Sequence, residues 1–182
     1  MSKSLYLINP KADMPSYFGA EVVAAYGLQP AVNVADLTLP TVAALAPDSF
    51  RVQLCDESVA AVDLESQADF VGITGKSTQV KGMLRLAQHF RQQGKIVIIG
   101  GPFATLTPET VRPCCDILVR GEIELIAPQL FADLHRGRWQ AEYVGGQPDL
   151  CHSPIPRWDL YPNDRALLAT IHSPHTSWRS TR

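Results

Sequence analysis

The sequence predicts an α/β domain: a parallel sheet of five strands with helices on both faces. Three observations carry that expectation. Strand-like apolar runs alternate with helical segments over the first 140 residues, Ile96–Ile99 is an unbroken β-branched run, and glycine or proline follows several of the runs. Alternating strands and helices imply right-handed βαβ crossovers and hence parallel pairing. Strands buried on both faces read as continuous apolar runs rather than alternating ones.

Leu5–Asn9 is the first strand, stopped by Pro10. Residues 10–40 show no helical stripe until a short helix near Thr41–Leu45. Arg51–Asp56 reads as the second strand and Phe70–Thr74 as the third. Val80, Met83, Leu84, Leu86, Ala87 and Phe90 then recur at helical spacing, with Lys81, Arg85, Gln88 and Arg91 on the other side and Gly94 placed to end the helix. Ile96–Ile99 is the fourth strand. Thr107-Pro108-Glu109 reads as an N-cap with proline in the first turn. Ile117–Val119 is the fifth strand, and Glu124–Leu134 a second amphipathic helix stopped near Gly137. Five strands suggest the doubly wound, flavodoxin-like (Rossmann-like) order 2-1-3-4-5. Ligands of such sheets sit beyond the carboxyl ends of the strands, near the switch point between strands 1 and 3. Residues 1–140 are expected to form this domain, and 141–182, with its Gly-Gly, Pro and Ser clusters, a linker and tail.

Composition excludes several classes. The 182 residues are 46% hydrophobic and 19% charged, with a net charge of −2. No basic footprint points to nucleic acid. No apolar run reaches a membrane span, and no signal peptide is recognisable, so a cytoplasmic protein is expected. The four cysteines, Cys55, Cys114, Cys115 and Cys151, show no Cys-x-x-Cys spacing, which fits a reducing compartment. Cys151-His152 and His172…His175 do not make a convincing metal site.

The chemistry-bearing motifs fall at strand ends. Gly100-Gly101-Pro102 either lets a ligand approach the backbone or makes a tight turn that needs glycine for its conformation. Thr74-Gly75-Lys76-Ser77-Thr78 contains Gly-Lys-Ser, but position 70 is Phe where a P-loop needs Gly. Its hydroxyls and the following helix N-terminus are better suited to a neutral or singly charged polar ligand. Glu122 and Glu124 in Gly121-Glu122-Ile123-Glu124 can cap the next helix or accept bonds from ligand amides. Asp56-Glu57 is either an acidic ligand pair or, more often for such a pair, a solvated strand end.

Together these residues resemble the N-terminal cobalamin (B12)-binding domain of B12-dependent radical-SAM proteins. The resemblance runs through Leu7-Ile8-Asn9-Pro10, Ala68–Thr74, Ile98–Thr105 with Pro108-Glu109, Asp116–Glu124 and Pro154–Leu160, in the expected order over about residues 5–170. It implies a corrinoid at the carboxyl edge of the sheet, with its nucleotide tail entering beside strands 1, 3 and 4. Asn9 and Pro10 would border the site, Thr74, Gly75, Ser77 and Thr78 line the tail, Gly100, Gly101 and Pro102 admit it, and Gly121 and Glu122 border the rim. The loop Asn9–Met14 lacks the Asp-x-His-x-x-Gly of methionine-synthase-like domains, so the resemblance implies a base-off corrinoid without a His ligand. Phe103 stands where relatives often have His, and Ile123 where they often have Gly. The Cys-x-x-x-Cys-x-x-Cys motif of the radical-SAM relatives does not occur in the 182 residues, so no iron–sulfur cluster is expected here and the chain is not expected to be catalytic alone. Three functions follow: a module that delivers or senses a corrinoid, the detached N-terminal part of a radical-SAM methyltransferase that pairs with its radical-SAM half, or a degenerate interaction domain without corrinoid.

Overall fold

The computed structural model describes residues 2–14, 25 and 35–161 of the chain. Six parallel strands form one sheet: β1 Lys3–Asn9, β2 Phe50–Asp56, β3 Phe70–Thr74, β4 Ile96–Gly100, β5 Ile117–Arg120 and β6 Glu142–Val144, in the order β2-β1-β3-β4-β5-β6. The sequence reading gave five. The sixth is only three residues long, too short to show a period, and it falls in the stretch read as linker. Its pairing of Tyr143 with Val119 nevertheless extends the sheet, and Tyr143 is buried.

Five described α-helices flank the sheet: α1 Thr38–Leu45, α2 Val80–Gln92, α3 Pro102–Leu106, α4 Pro108–Val111 and α5 Ala127–Arg136. The amphipathic stripe read from the sequence is the buried face of α2, with Met83, Leu86, Ala87 and Phe90 all at 0% exposure. Gly94 and Gly137 take positive φ (74° and 69°) just past α2 and α5, which a residue with a side chain adopts only with strain. Several boundaries differ from expectation. Residues 102–106, expected within a Gly101–Pro108 loop after the fourth strand, form α3, where proline fits the first turn. Thr107 does not cap α4, because its hydroxyl donates to the Phe103 carbonyl at 2.9 Å. Likewise α5 starts at Ala127, not Glu124, with no side-chain cap.

The two faces of the sheet hold separate cores. One packs Ile8, Val71, Ile73, Val97, Ile99 and Leu118 under α2, α3 and α4. The other packs Leu5, Leu7, Phe70, Ile98, Ile117 and Val119 against Leu39 and Ala43 of α1 and Leu130, Phe131 and Leu134 of α5.

Beyond β6 the chain returns to the opposite edge. The Arg157 amide donates to the Pro40 carbonyl (2.9 Å), and Leu160 joins the α1/α5 core. The Tyr161 hydroxyl, which also meets the Asp36 backbone, donates to Asp56 Oδ2 at 2.6 Å. Asp56 is only 2% exposed, so the Asp56-Glu57 pair is neither a solvated strand end nor a ligand pair. Glu57 is also engaged, accepting the Lys11 amide and pairing with Arg85. Asp36 Oδ1 accepts the amides of Thr38 and Leu39, the first two free donors of α1. Burial raises its carboxyl above the ordinary aspartate range. Residues from 162 onward, including His172 and His175, lie outside the described residues, as does most of 15–34.

Candidate functional site

A cleft of about 440 Å³ opens at the carboxyl end of the sheet, on the α1/α5 face. The size is that of a small-molecule site. Alternation along the strands decides which residues line it. Leu7 of β1, Gly72 and Thr74 of β3, Ile98 and Gly100 of β4 and Val119 of β5 all contribute to the lining. Thr38, Leu39 and Val42 of α1 form a wall, and Gly101, Pro102, Thr105 and Leu106, with Gly121, Glu122 and Ile123, complete it.

Glycine makes the rim possible. Gly101 sits at φ +90°, and a Cβ there would lie 2.3 Å from Thr74 Oγ1. Gly100 faces Val119, which an added Cβ would meet at 3.4 Å, an ordinary contact, so the need for glycine lies at 101 and 121. Gly121 sits at φ +71°, with the Gly145 carbonyl 2.4 Å from where its Cβ would be, so the turn after β6 packs directly on the turn after β5. Thr105 ties the two rim loops together: its hydroxyl donates to the Gly101 carbonyl (3.0 Å) and accepts the Gly121 amide (3.0 Å). Glu122 is exposed beside the opening. Glu124 does not cap α5, and its Oε2 is buried without a hydrogen-bond partner among the described residues.

Of the eleven residues singled out from the sequence, Thr74, Gly100, Gly101, Pro102, Gly121 and Glu122 line this cleft. The other five do not. Asn9 and Pro10 are tied down by Gln79, whose Nε2 donates to Asn9 Oδ1 (2.9 Å) and to the Pro10 carbonyl. Gln79 Oε1 accepts the Lys76 amide (2.8 Å), so this buried amide side chain stitches the ends of β1 and β3 together. Gly75 is packed against Met83, 2.6 Å from its would-be Cβ, on the α2 face. Ser77 and Thr78 are exposed on the turn before α2. Two of the amides around that turn are already engaged: Lys76 donates to Gln79 Oε1, and Lys81 donates to Asp13 Oδ2 at 3.0 Å.

The sequence reading missed Gly72, Thr38, Thr105 and Gln79. Gly72 and Thr105 lie inside the motif segments, where strand alternation places position 72 on the same face as Thr74. Gln79 carried no signal beyond its place at a helix start.

The B12-binding domain model matches residues 6–131. The chain belongs to the B12-binding domain family. Among curated proteins, this B12-binding domain is 35% identical over 130 residues to an uncharacterized methyltransferase of Synechocystis sp., covering 68% of this chain and 24% of that one. It is 33% identical over 109 residues to bacteriochlorophyllide d C-12(1)-methyltransferase of Chlorobaculum tepidum, covering 59% and 24%. The C-8(2)-methyltransferase of the same organism matches at 27% over 108 residues, covering 59% and 24%. The chain therefore spans about a quarter of the length of these relatives. No solved structure matches.

The cleft fits the cofactor of this family. Glycines that a Cβ would crowd bring backbone to the rim, and Thr74 offers a hydroxyl between apolar walls. The volume of about 440 Å³ is that of a pocket for a small molecule or part of one. Among the described residues no group of three or more His, Cys, Asp or Glu could hold a metal ion, and no helix is long and apolar enough to cross a membrane.

Proposed function

We propose that this B12-binding domain holds cobalamin base-off, with the nucleotide tail in the cleft over Gly72 and the macrocycle at the carboxyl edge. The observation that carries the reading is the cleft itself: an apolar slot walled by Leu7, Leu39, Ile98 and Val119, with the Thr74 hydroxyl and the Gly100-Gly101 backbone at its rim. Thr74 orients the tail by a hydrogen bond, and Gly100, Gly101 and Gly121 admit it without a steric penalty. Glu122 accepts hydrogen bonds from side-chain amides of the corrin. The residues after β1, Pro10–Met14, include no His to coordinate cobalt, consistent with a base-off cofactor without a protein His ligand.

When bound, cobalamin supplies a cobalt centre that can carry a methyl group. The domain's part is to bind, orient and shield it. The names of the relatives support service in methyl transfer. The substrate site and any radical-SAM cluster would then reside in another domain or chain, because the three-cysteine motif is absent from these 182 residues.

The test is a visible spectrum after incubation with hydroxocobalamin and desalting. A retained corrin spectrum in the base-off form, weakened in Thr74→Val, is the expected result. Complete loss of colour would overturn the reading in favour of an interaction domain without corrinoid.

A further inference from the structure

The cobalamin reading leaves open which corrinoids the cleft accepts, and the chemistry of its floor bears on that choice. The floor is Leu7, Gly72, Ile98 and Val119, faced by Leu39 and Val42. Its backbone is occupied by the sheet, since Gly72 pairs with Leu7 on one side and Ile98 on the other. The polar side chains that line the cleft stand at its mouth: Thr74 ends β3, Thr38 opens α1 and Glu122 follows β5. Thr105 is engaged with Gly101 and Gly121. Among the described residues, the depth of the cleft therefore offers no side-chain donor or acceptor. A buried polar atom without a partner is penalised there, whereas an apolar ring is favoured.

We propose, resting on the cobalamin reading, that the cleft selects corrinoids by their lower base. It favours an apolar, benzimidazole-type base over a purine, and Gly72 sets the depth the base can reach. The exocyclic amine and ring nitrogens of adenine would meet only hydrocarbon on this floor. A Cβ at position 72 would lie 2.6 Å from Leu7 Cδ2, so any side chain there fills the floor or drives Leu7 into it.

Three dicyano corrinoids, in which no base coordinates cobalt, provide the test by spectroscopic titration. They are the dimethylbenzimidazole form, its adenine analogue, and cobinamide, which lacks the nucleotide. The wild-type protein is expected to bind the first at least about tenfold more tightly than the second, a difference of about 1.4 kcal/mol. Gly72→Leu is expected to reduce the first to the affinity of cobinamide while leaving cobinamide unchanged. Val42→Asn, on the half-buried helix wall, offers an amide to a purine and is expected to narrow the wild-type ratio, which keeps the test open if Gly72→Leu does not fold. Equal wild-type affinity for the two bases would overturn the selectivity, and an unchanged ratio in Val42→Asn would overturn the apolar lining as its cause. A folded Gly72→Leu that keeps its preference would overturn the role of Gly72. Failure of all three corrinoids to bind would overturn the cobalamin reading itself.

Discussion

The central strands of this sheet end differently on their two faces. Under α2, Ile73 and Ile99 project into a filled core, and Gln79 closes the ends of β1 and β3 with three hydrogen bonds. One residue back on each strand, Gly72 and Ile98 face the other way, and with Gly100 they leave a cleft under α1. Side-chain volume at alternate positions leaves one face filled and the other open. Substitutions on the filled face should therefore cost stability, and those on the open face should cost ligand binding.

The largest effect is expected on the filled face. Phe90 is 0% exposed and meets Tyr6 edge-on at 6.4 Å. Phe90→Ala should lower unfolding free energy by about 3–5 kcal/mol in urea titrations, with corrinoid affinity unchanged in the folded fraction. Loss of binding at unchanged stability would break the division of labour.

Gly101→Ala comes next. It forces a Cβ onto a positive φ and into the Thr74 hydroxyl, so it should cost about 1–3 kcal/mol and remove corrinoid retention altogether. Tyr161→Phe leaves the buried Asp56 carboxylate without its 2.6 Å donor and should cost about 1–2 kcal/mol, read by thermal melting.

The smallest effect sits at the opposite end of the sheet. Asp69 accepts the Ser4 hydroxyl and amide, each at 2.7 Å, and the hydroxyl bond leads in holding its carboxyl below the usual range. Its stabilisation is complete above the unfolded-state aspartate range, near pH 4, and disappears as pH falls through the lower folded value. Because Asp69 is exposed, Asp69→Asn should cost only about 1 kcal/mol at pH 7. That gap should close in acid, as measured by urea midpoints across the pH range.

Much of this was legible in the sequence, for identifiable reasons. The five longer strands announced themselves because burial on both faces demands unbroken apolar runs such as Ile96–Ile99. A cleft beside Gly100-Gly101 was legible because sheets of this topology open crevices at the carboxyl ends of their strands. What escaped depended on geometry. Glu142–Val144 is a strand only because β5 offers it a partner, and Pro102 starts a helix rather than ending one. Ser77 and Thr78 looked like ligand groups because a turn before a helix exposes donors, but Gln79 and Asp13 had already taken two of those donors. Gly72 read as an ordinary strand residue until its neighbour Leu7 showed how much space a missing Cβ leaves.

The Tyr161 contact has a mechanical consequence. The chain leaves the described fold beside Asp56 at the β2 edge, on the far side of the sheet from β6. Tension applied beyond residue 161 would act first on the joint between Tyr161, Asp56 and Asp36, and so on the N-terminus of α1. That helix is one wall of the cleft and Asp56 ends β2, so a tug on the downstream chain would reach the cleft wall and the outermost rung of the sheet together.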